Sequence, residues 1–253
     1  MIDIKKQLIL NGKKSVLEIL KDVELRKLIH HVYLTESQTS LISACKTLEI
    51  PYSLQNSAWL KSLQREFDAK YSNVFAVLNS RQQLSFEDFK QVLWKDQKNT
   101  SYLIVMVEKI QDPYNFGAII RTCVAAGVNY IIYSSSNNTK LNNVVLKTSQ
   151  GYALKMQLIQ VKDLSKALAE LKKFNFLSYA ASLKSPSKNY FSVKYENRTI
   201  IVLGNEGEGI SPRLENSVDY RIKIPMNNGV ESLNVSVANG ILIYEVLRQW
   251  KER

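Results

Sequence analysis

The sequence contains few of the residues that build disulfide frameworks and metal sites. Its 253 residues include two cysteines and two histidines. Cys45 and Cys123 form no Cys-x-x-Cys pair, so neither a disulfide framework nor a cysteine-based zinc site is indicated. The histidines, His30 and His31, are adjacent and are interpreted as surface residues rather than catalysts. We therefore expect chemistry that needs no metal.

Long apolar segments are absent as well. No run approaches the roughly 18 consecutive apolar residues that a membrane-spanning helix requires. Residues 1–6 lack the apolar core and small-residue cleavage site of a signal peptide. These absences predict a cytoplasmic protein that does not associate with a membrane.

Acidic residues are outnumbered by basic ones. The chain has 34 Lys and Arg against 23 Asp and Glu, a formal net charge of +11 and a pI of about 9.5. The basic excess occurs both in residues 1–100 and in residues 101–253. It favours a polyanionic partner such as RNA, because lysines and arginines placed on phosphates release condensed counterions. A solvated basic surface that only aids solubility is an alternative that charge alone leaves open.

The pattern of apolar residues divides the chain into two regions. In residues 1–98, helical spacing alternates with short strand-like runs, which predicts a small α/β domain. The polar stretch 95–100 is the predicted linker, and the second domain is expected to span residues 99–253. The segments of the first region are helical at 15–21, 39–48 and 86–94 and strand-like at 32–34 and 74–78.

The second region alternates short apolar runs with helical segments. This alternation predicts a mostly parallel sheet flanked by helices, with strands that are buried on both faces. The expected strands are 103–107, 130–133, 176–179, 199–203 and 220–225, and the expected last helix is 233–250.

The segment 112–121 is the first of three clusters that carry candidate chemistry. Asn115 is placed at the entrance of a helix, as a plain N-cap or as a site residue, and Gly117 and Arg121 share one helix face. Arg121 lies in an otherwise apolar helix. A guanidinium in this position is either paired with a carboxylate or directed at a substrate phosphate or hydroxyl.

The second cluster is a glycine-rich turn that follows the predicted strand ending at Leu203. Its glycine spacing is G-x-x-G-x-G, rather than the G-x-G-x-x-G of dinucleotide sites. Glu206 and Glu208 would repel a pyrophosphate and suit a neutral or cationic ligand. S-adenosylmethionine is such a ligand, because it carries a positively charged sulfonium. A tight surface turn without a ligand is the alternative.

The third cluster, residues 224–238, leads into the last predicted helix. Ser232 is the expected N-cap of that helix, which leaves backbone N–H groups free for a ligand. The helix is apolar on nearly all sides, so we expect it to be buried in the core or at a subunit contact. Asn234 and Ser236 in its first turn then need polar partners. Asn234 is either a site residue or a satisfied buried group.

In order and spacing, the three clusters resemble the motifs of the SpoU (TrmH-type) branch of the SPOUT RNA 2′-O-ribose methyltransferases. The resemblance covers roughly residues 100–250. The matching residues are Asn115, Gly117 and Arg121 for N-x-G-x-x-x-R; Gly204, Glu206, Gly207 and Gly209 for G-x-E-G-x-G; and Ile224, Pro225, Met226 and residues 232–236 for I-P-M…S-L-N-V-S.

The resemblance implies an α/β fold with a parallel sheet of five or six strands, whose C-terminal segment threads a loop to form a deep trefoil knot. It also implies S-adenosylmethionine as the cofactor. The protein would be a homodimer whose active site is completed near the subunit interface. The residues implied to hold the cofactor are Leu203, Gly204, Ile224, Met226 and Leu233.

The resemblance also assigns catalytic residues. They are Asn115, Arg121, Glu206, Ser232 and Asn234. The family assigns the proton-accepting role to the residue that matches Arg121. Because arginine is always protonated in proteins, the alternative is that Arg121 binds the adjacent phosphate and stabilises the forming alkoxide. The other four residues would orient Arg121 and the ribose.

Residues 1–98 are similar to the small RNA-binding extension of the rRNA guanosine methyltransferase subgroup. Residues 12–20 match its opening pattern, G-x-x-x-V-x-E-x-L. Two positions depart from the usual patterns: Ser72-Asn73 replaces Gln-Gly, and Asn228 stands where glycine is usual. Since asparagine tolerates positive φ, the loop around Asn228 is expected to keep its shape.

The subgroup resemblance implies large-subunit ribosomal RNA as the substrate and 2′-O-methylguanosine as the product. Transfer RNA is the alternative substrate. Two other classes of protein compete with this interpretation: a non-catalytic RNA- or ribosome-binding protein, and a nucleotide-dependent metabolic enzyme. Cofactor binding would distinguish the first from an enzyme, and cofactor identity would distinguish the second.

Overall fold

The structure is a computed structural model that describes residues 7–66, 72–79, 83–96, 101–184, 186–205 and 207–252. The chain divides into two compact units: unit 1 consists of residues 1–82 and 141–155, and unit 2 of residues 83–140 and 156–253. In chain order the elements are β1 (Leu8–Asn11), α1 (Lys13–Lys21), α2 (Val23–Arg26), β2 (Ile29–Leu34), α3 (Thr39–Thr47), β3 (Tyr52–Leu54), α4 (Ser57–Glu66), β4 (Val74–Leu78), α5 (Phe86–Lys95), β5 (Tyr102–Val107), α6 (Pro113–Ala126), β6 (Tyr130–Ser134), α7 (Asn143–Thr148), β7 (Gln157–Val161), α8 (Leu164–Lys172), β8 (Leu177–Ala181), β9 (Lys188–Asn189), β10 (Arg198–Leu203), α9 (Pro212–Glu215), β11 (Tyr220–Lys223) and α10 (Val235–Lys251).

Unit 1 is built on a four-stranded sheet in the order β1-β4-β2-β3. β4 is antiparallel to β1 and β2, while β3 runs parallel to β2. Helix α4 packs Leu60 and Leu63 against Ile9 and Phe75 of the sheet. Because side chains alternate along a strand, Leu10 of β1 points to the opposite face. All five residues of β4 are buried.

The segment 141–155 completes unit 1. The backbone N–H of Ile9 donates a hydrogen bond to the side-chain oxygen of Asn143 over 2.8 Å, which satisfies a donor on β1. Gly151 has a left-handed φ of 83°. A Cβ there would lie 3.3 Å from Leu10 and 3.6 Å from Ile19, so the glycine permits a close approach to the core of this unit.

The division between the units differs from the predicted boundary at residues 98 and 99. Helix α5, expected in the first domain, belongs to unit 2. Its Phe89 and Leu93 are part of the main apolar core of unit 2, and the Phe89 ring centroid lies 4.3 Å from that of Tyr130. The amphipathic pattern of α5 indicated a buried face, but not which core would bury it.

Unit 2 contains a seven-stranded parallel sheet in the order β7-β6-β5-β10-β8-β11-β9. The family resemblance implied five or six strands, and the additional strand β9 has two residues. The chain runs outward from β5 to β7 and later returns to place β10 on the other side of β5. Ligands of open parallel sheets bind outside the carboxyl ends of the strands, near such a switch point. The trefoil knot stays a prediction from the resemblance.

Two helices beside this sheet carry the first and third sequence clusters. α6 is capped by Asp112, whose side chain accepts a hydrogen bond from the N–H of Tyr114, so Asn115 lies inside the helix rather than at its cap. α10 packs on α6, where Gly240 faces Thr122. α10 is buried along one face, through residues such as Leu242. Its opposite face is not covered, since Val237 and Tyr244 are exposed.

Among the helices that the structure describes, none is long and apolar enough to cross a lipid bilayer. Within the same described ranges, no group of three or more His, Cys, Asp or Glu side chains is arranged to hold a metal ion. Cys45 and Cys123 are both buried free thiols.

Candidate active site

A cavity of about 260 Å³ lies at the carboxyl ends of β8, β10 and β11. Its first wall is residues 181–184 after β8, and its second is the glycine-rich turn after β10. The segment after β11 and the start of α10 close the remaining sides. The cavity is lined by all five residues predicted to hold a cofactor, Leu203, Gly204, Ile224, Met226 and Leu233, and also by Ser232.

The glycine-rich turn is a very narrow loop. Asn205 and Gly209 exchange two backbone hydrogen bonds, of 3.1 and 2.9 Å. A Cβ on Gly204 would lie 2.2 Å from the carbonyl carbon of Gly209, a distance that no side chain tolerates. Gly209 itself has a φ of 69°, which glycine adopts without the steric cost of a Cβ. Glycine is therefore required at 204 by close packing of backbone.

Asn205 stabilises the interior of this turn, although it was not among the site residues predicted from the sequence. Its side-chain oxygen accepts hydrogen bonds from the N–H groups of Gly207 and Glu208, at 2.8 and 3.2 Å. Its amide nitrogen donates to the carbonyl oxygen of Lys109 over 3.1 Å. An asparagine that follows a buried strand and a glycine is a known turn former, and that signal was available in the sequence.

A lysine neutralises part of the negative charge of the turn. The Lys109 ammonium lies 2.6 Å from a carboxylate oxygen of Glu208. The hydrogen bond and the charge of Lys109 lower the pKa of Glu208 below its ordinary value. Glu208 therefore does not present an unpaired negative charge, which weakens the argument that this side chain attracts a cationic ligand. Glu206, a predicted catalytic residue, lies outside the described residues.

A second carboxylate joins the turn to the end of β5. The two oxygens of Glu108 accept hydrogen bonds from the backbone N–H and the hydroxyl of Ser211, each over 2.7 Å. Ser211 is also the N-cap of α9. The carboxyl ends of β5 and β10, on either side of the switch point, are thus connected by side chains.

Asn115 and Asn234, predicted catalytic residues that are 119 positions apart, are brought into contact. The Asn234 side-chain nitrogen donates to the Asn115 side-chain oxygen over 2.9 Å. Asn234 is the N-cap of α10, where its oxygen accepts from the N–H of Ser236 over 2.9 Å. The prediction that Ser232 caps this helix is wrong. The helix begins two residues later than expected because Asn234 supplies the cap.

Arg121 is exposed on the outer side of α6. It has no ion-pair or hydrogen-bond partner within the parts of the chain that the structure describes, so the structural salt bridge considered for it is not found there. The neighbouring Ile120 and Cys123 are buried. Arg121 does not line the cavity, and its guanidinium faces outward, where it is accessible to a substrate.

The sequence of this chain matches the profile of the SpoU rRNA methylase family over residues 102–244. It is 37% identical over 236 residues to an uncharacterized tRNA/rRNA methyltransferase of Mycoplasma pneumoniae, a match that covers 92% of this chain and 94% of the relative. It is 37% identical over 166 residues to the tRNA (guanosine(18)-2′-O)-methyltransferase of Aquifex aeolicus, covering 65% of this chain and 76% of the relative. It is 35% identical over 147 residues to the 23S rRNA (guanosine-2′-O-)-methyltransferase RlmB of Xanthomonas campestris, covering 58% and 59%.

Solved structures agree with the fold. The SpoU methyltransferase AviRb of Streptomyces viridochromogenes superposes with a TM-score of 0.77 at 17% identity, over 98% of this chain and 91% of that chain. A parallel sheet with a glycine-framed cavity at its carboxyl ends thus defines unit 2 as a SpoU-type methyltransferase fold. The chain belongs to the SpoU family of RNA methylases, and it is a methyltransferase that acts on RNA.

Proposed function

We propose that this protein is an S-adenosylmethionine-dependent enzyme that methylates the 2′-hydroxyl of a ribose in RNA. The observation that carries the proposal is the convergence of all three sequence clusters. Asn115 of the first cluster contacts Asn234 of the third. Asn234 directly follows Leu233, which lines the cavity together with Gly204 of the second cluster. A cofactor cavity and a group of polar side chains therefore lie side by side.

The cavity suits a nucleoside-containing cofactor of moderate size. Its volume of about 260 Å³ is close to the lower end of the range for ligand pockets, about 300 Å³. Leu203, Ile224 and Leu233 offer apolar surface for a flat base, and Gly207 and Gly209 also line the cavity, where they add no side-chain bulk. S-adenosylmethionine, when bound, supplies a methyl group that its sulfonium already activates.

The protein must position the hydroxyl, whose oxygen takes the methyl group while its proton is lost to solvent water, and stabilise the charge that develops on that oxygen. We assign this stabilisation to Arg121, because a guanidinium stays protonated and an accessible cation favours both an adjacent phosphate and a forming alkoxide. Asn115 and Asn234 fix each other's amide orientation and are assigned to orienting the ribose. Ser232, on the cavity wall, and Glu206 complete the proposed set.

The favoured substrate is a guanosine of large-subunit ribosomal RNA. Support comes from the rRNA methylase family match and from the Xanthomonas relative, which is an rRNA guanosine methyltransferase. It also comes from residues 1–98, which resemble the RNA-binding extension of the rRNA-modifying subgroup. Transfer RNA is the second candidate, because the Aquifex relative modifies guanosine 18 of transfer RNA.

A homodimer is also proposed. Val237 and Tyr244 lie seven residues apart on the outer face of α10, and each is 50% exposed. Tyr114 on the neighbouring helix α6 is 52% exposed. Three large apolar or aromatic side chains on two packed helices are suited to contact a second copy of the chain.

The test is methyl transfer from labelled S-adenosylmethionine by the purified full-length protein, with ribosomal RNA fragments and transfer RNA transcripts assayed separately. Nuclease digestion and mass spectrometry would identify the product, expected to be 2′-O-methylguanosine in the ribosomal RNA. Methylation of transfer RNA alone would contradict the ribosomal assignment. RNA binding without any transfer would support the non-catalytic alternative.

Arg121→Ala should abolish transfer and leave the affinity for S-adenosylmethionine within a few-fold, because Arg121 does not line the cavity. Arg213→Ala is the matched control, since Arg213 is an exposed arginine of the same unit that pairs with Asp163. If Arg121→Ala keeps more than about a tenth of the rate, a loss below roughly 1.4 kcal/mol in the barrier, Arg121 has no catalytic role.

A further inference from the structure

One wall of the cavity, residues 181–184, belongs to none of the three sequence clusters. Two of its side chains, those of Ser182 and Lys184, are held by one carboxylate, that of Glu215. One oxygen of Glu215 accepts a hydrogen bond from the Ser182 hydroxyl over 2.5 Å, and the other accepts from the Lys184 ammonium over 3.0 Å. Only 6% of Glu215 is exposed, whereas 59% of the Lys184 side chain is.

The wall also has backbone contacts of its own. The Ser182 hydroxyl oxygen accepts a hydrogen bond from the backbone N–H of Lys184 over 3.2 Å. Because the same hydroxyl donates its proton to Glu215, its lone pairs are left to accept from Lys184. The Ser182 N–H donates to the carbonyl oxygen of Ile222 on β11 over 2.9 Å. Arg221, also on β11, places its Nε atom 3.8 Å from Glu215. The side chains of Ser182 and Lys184 on the wall and of Arg221 on β11 therefore all approach Glu215.

Glu215 also connects this wall to the opposite one. It is the last residue of α9, the short helix that follows the glycine-rich turn. The start of α9 is tied to β5 through Ser211 and Glu108. A carboxylate anchored on the second wall thus reaches across to two side chains of the first, and Glu215 itself lines the cavity.

A buried carboxylate is a costly choice for packing alone. Burial raises the pKa of the Glu215 carboxyl, and the hydrogen bonds from Ser182 and Lys184 with the charges of Lys184 and Arg221 more than offset this, so its pKa lies below the ordinary value. Glu215 is thus an anion at neutral pH. Removing a carboxylate from water costs free energy that its partners must offset, so packing alone does not account for a charge at this position.

We propose that Glu215 is a positioning residue for the cofactor: by holding Ser182 and Lys184 it sets the distance between the two walls of the cavity, and thereby the affinity for S-adenosylmethionine. The inference rests on the proposed function. Because Glu215 is assigned to the cofactor and not to the ribose or its hydroxyl, its loss should raise the KM for S-adenosylmethionine and leave kcat nearly unchanged.

The test is calorimetric titration of the full-length protein with S-adenosylmethionine and its demethylated product, together with steady-state kinetics. Glu215→Ala should weaken binding about tenfold or more, as expected for the loss of hydrogen bonds to a charged group. Glu215→Gln keeps an acceptor for Ser182 and should recover part of the affinity. Ser182→Ala, which leaves Glu215 in place, should weaken binding a few-fold.

The matched control is Glu245→Gln. Glu245 is a buried carboxylate of the same unit, 9% exposed and paired with Arg248, and it does not line the cavity. The Glu245→Gln variant should bind the cofactor with the same affinity as the wild type. If Glu215→Ala fails to fold, Glu215→Gln and Ser182→Ala decide the question.

Folded Glu215 variants that bind like the wild type would overturn the inference while leaving the proposed function intact. The inference is equally overturned if kcat falls as much as affinity, or if Glu245→Gln weakens binding to the same extent. A wild-type protein that binds no S-adenosylmethionine would overturn the proposed function, and this inference with it.

Discussion

Replacing Gly204 by alanine should be the most damaging single-methyl change in the glycine-rich turn. The added Cβ would lie 2.2 Å from the carbonyl carbon of Gly209, 2.3 Å from its oxygen and 2.5 Å from the nitrogen of Ile210. All three atoms are backbone, so no side-chain rotation relieves the overlap. The two sides of the turn must separate by about 1 Å to reach ordinary contact, which begins at 3.4 Å.

The cost follows from what this separation breaks. The two hydrogen bonds between Asn205 and Gly209, now 3.1 and 2.9 Å long, would stretch beyond useful range, at about 1 kcal/mol each. Strain from overpacking adds about 1–3 kcal/mol. A total of roughly 3–5 kcal/mol opposes the turn shape that forms the cavity wall, so affinity for S-adenosylmethionine should fall at least about 100-fold.

Two other glycines of the same turn provide internal controls. Gly207→Ala should leave the shape of the turn unchanged, because a Cβ there would meet only the Asn205 side-chain oxygen at 3.5 Å. Since Gly207 lines the cavity, a loss of affinity is expected here too, but one well below that at 204. Gly209→Ala meets no atom within 4 Å but has a φ of 69°, and should cost about 1–2 kcal/mol from the left-handed backbone. Calorimetry on all three variants, with circular dichroism to check folding, measures the series. Wild-type affinity in Gly204→Ala, or equal losses at 204 and 207, would refute the reasoning.

Two further predictions concern stability and assembly. The pKa of Asp219 lies below its ordinary value of 3.8, because hydrogen bonds from Lys172 and Ser178 outweigh its burial. A depressed pKa stabilises the protein above the unfolded-state pKa, and this contribution is lost as the pH falls through the folded-state value. In urea unfolding at pH 7, Asp219→Asn should therefore be about 1–2 kcal/mol less stable than the wild type. The difference in unfolding free energy between the two proteins should shrink below about pH 4, and a constant difference would contradict this account. Tyr244→Glu should shift the protein from dimer to monomer in analytical ultracentrifugation, while Val92→Glu, at an exposed position on α5, should not; an intact Tyr244→Glu dimer would exclude this face of α10.

Local sequence pattern predicted much of the sheet in unit 2. The expected strands 103–107 and 199–203 correspond to β5 and β10, each within one residue. Both are short apolar runs because their residues are buried on two faces, so burial is visible in the composition itself. The second and third clusters both line the cavity, since segments that follow parallel strands meet at one edge of the sheet. Their role in cofactor binding was predicted from the family resemblance.

The N-cap of α10 and the boundary between the units were harder to predict from the sequence. Ser232 and Asn234 are both good N-cap residues, and the choice depends on the backbone φ and ψ after residue 233. Helix α5 carries an amphipathic pattern that fits either unit, and the contact between Phe89 and Tyr130 decides its place. Neither feature has a local signature strong enough to select one outcome.

The sequence by itself determined the class of fold through its apolar periodicity and the family motifs through their order and spacing. The residues around the cavity were predicted from the family resemblance that these motifs carry. Only the tertiary structure revealed the Asn115–Asn234 contact, the ion pair between Lys109 and Glu208, and the hydrogen bonds that Ser182 and Lys184 donate to Glu215. These pairs are separated by 119, 99 and at least 31 positions. Hydrogen bonds of this kind depend on distances of a few ångströms between distant segments, which no local pattern in the chain encodes.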